Sequence, residues 1–184
     1  MDGREAGLFA PEAYITRAEA ATIFYRCLSE ESRTGLEAEG EFYDVRPFSW
    51  YYEPVTCLAG AGALNGRSEN YFAPDESITR AEFVTLALRF VSVAEYTGPD
   101  LMNDTAYHWA REEINKAVRN GMVNGYEDGS FRPDANITRA EAAAIMNRLL
   151  GRTAEGAFIP ETSPWSDVSI TAWYYTDVIL ASIP

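Results

Sequence analysis

A four-residue motif, Thr-Arg-Ala-Glu, occurs three times in this chain of 184 residues. The copies start at Thr16, Thr79 and Thr138, 63 and then 59 residues apart, and an Ile precedes each one. A Phe stands seven residues before each Thr, and a Pro follows that Phe by two positions. Self-similarity at a long spacing is typical of repeat proteins, whose units bury their apolar faces against their neighbours. The motif therefore predicts an array of related units.

A second repeated block places an Asp five or six residues before a Trp. The pairs are Asp44 with Trp50, Asp104 with Trp109, and Asp167 with Trp173. Aligned copies show that the chain begins in the second half of one unit and stops in the first half of another. We therefore predict full units at 42–91 and 101–150, with half units at 1–28 and 165–184. The terminal halves are expected to pair into a third unit of one compact domain, or else the chain is a fragment of a longer array.

Each unit has the pattern of a helix, a turn and a second helix. The repeated Thr with Glu three residues later is a capping box, which predicts that the second helix begins there. Gly62 and Gly121 are suited to the left-handed cap that ends the first helix. The turn carries Gly3, Gly66 or Gly125 in Asp-Gly or Asn-Gly pairs, which tolerate positive φ. An apolar stripe follows each box and predicts that Cys27 is buried.

The segments between the units are polar, acidic or rich in Gly and Pro, and they are predicted to be linkers. They cover residues 29–41, 92–100 and 151–164.

The composition narrows the classes of function. The net charge of −13 disfavours nucleic acid, which is normally bound through a basic face. With 47% hydrophobic residues the chain can bury a core, yet no run of about 18 apolar residues exists to span a bilayer. Two cysteines are too few for a disulfide scaffold and lack zinc-ligand spacing. We expect neither a metal nor a cofactor.

An Arg occupies the first helical position after each capping Thr, where a cation opposes the helix dipole. An unfavourable residue in every copy indicates a purpose. A guanidinium beside free helix-start N–H groups forms an anion site suited to a carboxylate or phosphate. The alternative is an ion pair with the repeated Asp. A second Arg, at Arg26, Arg89 and Arg148, complements the C-terminal end of the helix dipole and is assigned to the fold.

The remaining repeated side chains allow two interpretations each. The Trp either stacks on a sugar face or anchors its helix in the core. The Asp either caps the first helix or accepts hydrogen bonds from sugar hydroxyls. His108 is the single histidine, so a nucleophilic triad repeated in each unit is excluded and we predict no enzyme. A glycosidase-type carboxylate pair is the third possibility in so acidic a chain.

The repeated pattern Phe-x-Asp-Val, Trp-Tyr, Asn-Gly, Gly-x-Phe-x-Pro and Ile-Thr-Arg-Ala-Glu resembles the S-layer homology (SLH) domain of bacterial cell-surface proteins. The resemblance covers nearly the whole chain apart from the linkers. It implies an all-α fold, a pseudo-threefold trimer of helix-loop-helix repeats around a central three-helix bundle. The middle copy departs from the pattern at Leu101, Thr105 and Ala110.

The resemblance also implies non-covalent binding to secondary cell-wall polysaccharide that carries pyruvylated N-acetylmannosamine, in grooves between adjacent repeats. The ligand-binding positions of the family correspond here to an Arg, an Asp, a Trp and a Gly in each copy. These residues are Arg17, Arg80, Arg139, Asp44, Asp104, Asp167, Trp50, Trp109, Trp173, Gly3, Gly66 and Gly125.

We therefore expect a monomeric, extracellular anchor that holds a larger surface protein or enzyme on a Gram-positive-type cell wall without inserting into the membrane. The alternative is a structural or protein-interaction module that keeps the SLH fold without binding glycan. Arg139→Ala is expected to weaken polymer binding by about 2 kcal/mol or more at little cost in stability.

Overall fold

The computed structural model describes residues 1–36 and 42–182. Residues 37–41 of the first predicted linker, and 183–184 of the last predicted half unit, lie outside this range. The described residues form seven α-helices: α1 Arg17–Cys27, α2 Glu30–Thr34, α3 Tyr52–Gly60, α4 Arg80–Leu88, α5 Arg111–Arg119, α6 Arg139–Leu149 and α7 Tyr175–Ser182. Only isolated β-bridges accompany them in these two ranges. The predicted all-α fold is confirmed, while its pseudo-threefold arrangement around a central bundle stays a prediction.

Capping boxes start the three helices that begin at the repeated motif. In each, the Thr hydroxyl accepts the backbone N–H of the Glu, and the Glu carboxylate accepts the backbone N–H of the Thr. Two first-turn N–H groups that the helix leaves unsatisfied are thereby paired. The predicted helix starts are confirmed at α1, α4 and α6.

The predicted linker at 29–41 contains a short helix instead of irregular chain alone. The Ser29 side chain accepts the N–H of Ser32 and caps α2, which buries none of its residues. A five-residue helix without an apolar face gives no periodic signal in the sequence. Cys27, just before this segment, is exposed, so its predicted burial is wrong.

The chain divides into two compact units, and the smaller one spans Ile15–Ile78. Within it α1 packs against α3. Its fully buried side chains include Ile15, Phe24, Leu58 and Phe72. The second helix of one sequence copy therefore packs on the first helix of the next copy.

The larger unit contains Met1–Tyr14 together with the chain from Thr79 onward. Here α4 packs against α5, α6 packs against α7, and α4 also contacts α6. Phe9 shares a buried cluster with Val168 and Val178, and the Phe9 ring lies 5.8 Å from the ring of Trp165. Residues from both ends of the chain thus lie in one core.

Glycines serve two different purposes in the turns. Gly62 and Gly121 have φ near +70°, as expected for left-handed caps. The turn glycines are needed for another reason, because a Cβ on Gly66 would lie 2.5 Å from the Ser68 carbonyl oxygen and 2.7 Å from the Phe42 ring. Gly3 and Gly125 are similarly crowded by Trp165 and Met102. Close approach, rather than positive φ, requires these three glycines.

Within the described part of the chain, no helix combines the length and apolar character that a membrane crossing requires.

Candidate carbohydrate-binding cleft

The arginines at the starts of α1, α4 and α6 are buried. Their side chains share one arrangement, in which Nε donates to the backbone carbonyl of a repeated Phe and the guanidinium lies over that Phe ring. The Nε to O distances are 2.8 Å for Arg17 to Phe72, 2.9 Å for Arg80 to Phe131, and 2.8 Å for Arg139 to Phe9. The guanidinium carbons lie 4.7 to 4.8 Å from the ring centroids. A cation at this position therefore has a structural role, which the helix-dipole argument did not predict.

Free N–H groups at the helix starts were part of the predicted anion site, and this part is also wrong. In α4 the N–H of Arg80 donates to the Ala135 carbonyl at 2.9 Å, and the N–H of Ala81 donates to the Pro133 carbonyl at 3.0 Å. The corresponding groups of α1 and α6 make equivalent bonds to turn carbonyls. The helix dipoles are thus directed at the protein's own backbone.

The repeated aspartates hold the turns that carry the Phe. The two oxygens of Asp104 accept the N–H of Phe131 at 2.8 Å and the N–H of Arg132 at 2.7 Å. Asp44 and Asp167 bind the equivalent pairs of N–H groups in the other copies. The second residue of each pair has a positive φ of 57 to 60° although it is not glycine. The carboxylate stabilises this strained turn, so the predicted capping of the first helix is wrong, as is the alternative ion pair with Arg.

The repeated tryptophans are exposed rather than buried. Trp50, Trp109 and Trp173 keep 62%, 63% and 65% of their surface accessible. Each indole contacts a neighbouring ring, as where Trp173 meets Tyr174 edge-on at 5.3 Å. Anchoring in the core is therefore the wrong interpretation, and an indole face is left on the surface.

A cleft of about 950 Å³ lies within the larger unit. Its lining comes from the N-terminal segment, the start of α4, the turn before α6, one face of α6, and Trp173 before α7. Three of the predicted ligand-binding residues, Arg80, Gly125 and Trp173, meet there. Each comes from a different sequence copy, in line with the expectation of a groove formed by more than one repeat.

The floor of the cleft is a hydrogen-bonded group of three side chains. Oε1 of Glu141 accepts Nη1 of Arg80 and the hydroxyl of Tyr126, each at 2.7 Å. Burial, and then the bond to Glu141, raise the pKa of the Tyr126 phenol above its usual value of 10.0. The phenol therefore stays neutral and keeps its donor at physiological pH. Arg80 also lies over the Tyr126 ring at 4.9 Å, which fixes that ring as one wall.

The mouth of the cleft carries an exposed guanidinium. Arg132 lies over the Tyr126 ring at 3.8 Å, and its Nη2 donates to Oδ2 of Asp128 at 3.1 Å. Bonds from the hydroxyl and N–H of Ser130, and then the bond from Arg132, lower the pKa of Asp128 to about 2. This carboxylate is thus ionised at physiological pH and orients Arg132.

Further charged groups from distant parts of the chain complete the lining. Three arginines and four carboxylates are found among the described lining residues. Glu141 is bound to Arg80, Asp128 is bound to Arg132, and Glu12 accepts a bond from Tyr174. Arg148, on the last turn of α6, is exposed on the wall. The carboxylates are therefore largely engaged, while two guanidinium groups face the opening.

Sequence reasoning missed Tyr126 and Arg132, and it gave Arg148 a structural role only. Two of these residues depart from the other copies: Arg4 and Arg67 correspond to Tyr126, while Ala10 and Ala73 correspond to Arg132. Positions that differ between the copies could have indicated Tyr126 and Arg132, whereas positions identical in all copies could not.

The geometry defines a helical module with a polar cleft edged by aromatic rings. A family model described as S-layer homology domain matches residues 1–21, 41–84 and 102–143, more than half of the chain. The chain belongs to the S-layer homology domain family.

Relatives with this similarity are bacterial proteins. The chain is 35% identical to a cellulosome-anchoring protein of Acetivibrio thermocellus over 97% of its own length and 40% of that protein. It is 33% identical to a surface-layer 125 kDa protein of Lysinibacillus sphaericus, over 82% of its own length and 13% of the relative. With an amylopullulanase of Thermoanaerobacterium thermosulfurigenes it shares 31% identity over 83% of its own length and 8% of the enzyme. The chain thus spans well under half of these relatives.

Proposed function

We propose that this chain anchors a larger protein at the bacterial cell surface by binding a secondary polysaccharide of the cell wall without a covalent bond. Membership of the S-layer homology family supports this function. The relatives support it as well, since they include a cellulosome-anchoring protein and surface-layer proteins.

The observation that carries the proposal is the cleft of the larger unit. Trp173 offers an exposed indole face, and Tyr126 forms a second aromatic wall. Sugar rings pack their C–H faces on aromatic rings, while their hydroxyls need polar partners such as Asn124 and Asn136 in the same cleft. The space and the mixed lining suit a short stretch of polysaccharide.

The polymer we propose is acidic and carries pyruvylated N-acetylmannosamine. A pyruvyl ketal fixes a carboxylate to a sugar, and such a group prefers a guanidinium beside an apolar wall. The net charge of −13 opposes an anionic polymer at long range only, because the Debye length is about 8 Å at physiological ionic strength. Arg132 and Arg148 line the cleft, so they would attract an acidic polymer at short range.

The predicted ligand-binding residues take different parts in this proposal. The tryptophans contact sugar. The arginines at the helix starts act as positioning residues, because they hold the Phe turns through buried hydrogen bonds. The aspartates and the crowded glycines shape the same turns. We also propose that the two terminal half units complete a third unit, since Phe9 and α7 share a core.

The chain itself is proposed to be non-catalytic. Enzymes such as an amylopullulanase and an endoglucanase are among its relatives, yet the aligned region covers only 8% and 17% of them. Any enzymatic activity is accordingly assigned to other parts of such proteins.

A sedimentation assay with purified wall sacculi tests the proposal. The chain is expected to pellet with sacculi that retain their secondary polymer and to stay in the supernatant once the polymer has been removed. Binding to stripped peptidoglycan, or to neither preparation, would favour a structural or protein-interaction module. Sugar release from the polymer would identify a glycosidase instead.

The variant Trp173→Ala tests whether the polymer binds in the cleft. Loss of the indole is expected to weaken sedimentation, whereas Phe158→Ala is the matched control, because Phe158 is 82% exposed and does not line the cleft. Equal losses for both variants would contradict the cleft as the binding site.

A further inference from the structure

We infer that Arg132 makes this cleft select an acidic polymer over a neutral one. Arg132 supplies an accessible positive charge, which the buried helix-start residue Arg80 does not supply. The inference rests on the proposed function and names the residue behind its charge preference.

The repeated copies place an Arg at different positions of the same turn. Each turn has two comparable positions, one after the crowded Gly and one after the buried Phe. Two copies combine Arg with Ala, as Arg4 with Ala10 and Arg67 with Ala73, and the third combines Tyr126 with Arg132. Every copy therefore carries one guanidinium on this turn, although its position in the sequence changes.

The guanidinium stays at the same turn in both arrangements. Arg67 donates to Oε2 of Glu76 at 2.9 Å, and Arg4 donates to the Tyr14 carbonyl at 2.8 Å. Glu76 occupies the position that corresponds to Ala135, and Tyr14 occupies the position that corresponds to Asn136. Both Ala135 and Asn136 line the cleft. A fold requirement would fix one position, whereas a requirement for positive charge at the edge of a binding site can be met from either.

The neighbours of Arg132 hold its backbone and side chain in place. Its φ is 57°, a left-handed conformation that Asp104 stabilises by accepting the Arg132 N–H at 2.7 Å. The side chain lies on Tyr126 and is tied to Asp128 and Ser130. About half of the side chain remains exposed, at 51%. Such preorganisation reduces the entropy lost on binding.

The other cations of the cleft differ from Arg132 in exposure or in their occurrence among the copies. The side chain of Arg80 is only 6% exposed and its donors face Glu141 and the Phe131 carbonyl. Arg148 lies at a position that is Arg in every copy, so an Arg is present there whichever position of the turn carries the other Arg. Arg132 is thus the cation that distinguishes this cleft.

The experiment measures affinity for released wall polymer by isothermal titration calorimetry. The polymer is used intact and after mild acid has hydrolysed its pyruvyl ketals. Arg132→Ala is expected to weaken binding of the intact polymer by about tenfold or more, as loss of a charge-assisted hydrogen bond does. The same variant is expected to match the wild type on the acid-treated polymer.

Two further variants exclude a general effect of charge or folding. Arg119→Ala removes an exposed Arg outside the cleft and is expected to leave the affinity unchanged. The double variant Tyr126→Arg with Arg132→Ala rebuilds the arrangement of the other copies and is expected to restore the preference for the intact over the acid-treated polymer, although loss of the Tyr126 ring lowers the affinity for both forms. Ala already occupies this left-handed position at Ala10 and Ala73, so the fold should tolerate it.

The outcomes separate this inference from the proposed function. If the wild type binds but Arg132→Ala and Arg119→Ala bind equally well, the inference is overturned and the anchor remains. An equal loss for Arg132→Ala on both forms of the polymer also overturns it. No binding by the wild type overturns the proposed function and this inference together.

Discussion

Arginine at the first position of a helix is unfavourable for the helix dipole, yet here it is retained at three helix starts. The structure explains this because the Arg Nε donates to a Phe carbonyl while the planar guanidinium lies over the ring of the same Phe. In Arg139 the Nη2 group also donates to the Asp2 carbonyl at 2.7 Å. Several buried hydrogen bonds outweigh a dipole term of some tenths of a kcal/mol.

Arg139→Ala should therefore lower the stability of the protein, contrary to the expectation from the sequence. Leaving the carbonyls of Phe9 and Asp2 without their donors should cost about 2 to 3 kcal/mol of unfolding free energy. Urea denaturation of the variant against Arg119→Ala, which removes an exposed charge, measures the difference. Equal midpoints for the two variants would contradict the structural role.

The carboxyl of Asp128 should titrate with a pKa of about 2, because Ser130 and Arg132 donate to its ionised form. Since the folded pKa is depressed, the turn gains stability from this carboxylate above about pH 4, and loses it as the pH falls toward 2. An NMR titration of the Asp side chains provides the value. A pKa near 4 would show that the bonds to Asp128 do not form.

These residues also show the limits of prediction at this scale. The capping boxes involve positions three apart, so their partners can be identified from the sequence alone. Asp104 instead binds a turn 27 residues away, and Arg139 binds Phe9 across 130 residues. Such contacts depend on the packing of whole helices. Repetition of these residues in the sequence therefore indicated that they have a role, but it did not identify their partners.

At the scale of elements, the turn before each long helix is the most constrained part of the fold. Its backbone segments approach each other closely. A Cβ on Gly66 would lie only 2.5 Å from the carbonyl oxygen of Ser68 and 2.6 Å from that of Tyr71. The Asp44 carboxylate also accepts the N–H groups of Phe72 and Ala73 in this turn. Turn geometry thus determines where the buried Phe and the cations are placed.

Gly66→Ala should destabilise the protein by about 2 kcal/mol or more, because backbone oxygens cannot move aside as a flexible side chain can. Gly35→Ala is the matched control, since its Cβ would have ordinary contacts at 3.7 and 3.8 Å and its φ of −84° suits alanine. Thermal unfolding of both variants provides the comparison. A midpoint for Gly66→Ala as high as that of the control would contradict the close approach.

At the scale of the whole molecule, the repeats of the sequence and the pairs of packed helices are offset. Three motif copies predicted the family and the all-α fold, and both are confirmed. Packing, however, joins the second helix of one copy to the first helix of the next, in α1 with α3, α4 with α5, and α6 with α7. The repeat bounds at 42–91 and 101–150 remain predictions, because sequence periodicity fixes the length of a unit but not its partner.

Closure of a third unit by the two ends should be visible in stability. Deleting residues 1–14 removes Phe9 from its cluster with Val178 and leaves Asp167 and Arg139 without their backbone partners. The thermal midpoint followed by circular dichroism is expected to fall by several degrees. An unchanged midpoint would contradict the pairing of the terminal halves.

The central claim, that this cleft binds wall polysaccharide, is tested most directly by NMR. Each of the four tryptophans gives its own indole N–H signal, so a titration of labelled protein with a released polymer fragment follows the surroundings of each indole separately. The signal of Trp173 is predicted to shift together with the side-chain Nε–H of Arg132, while Trp165, whose indole donates to Ser182, stays in place. Saturation of binding with Trp173 and Arg132 both unperturbed would contradict the claim.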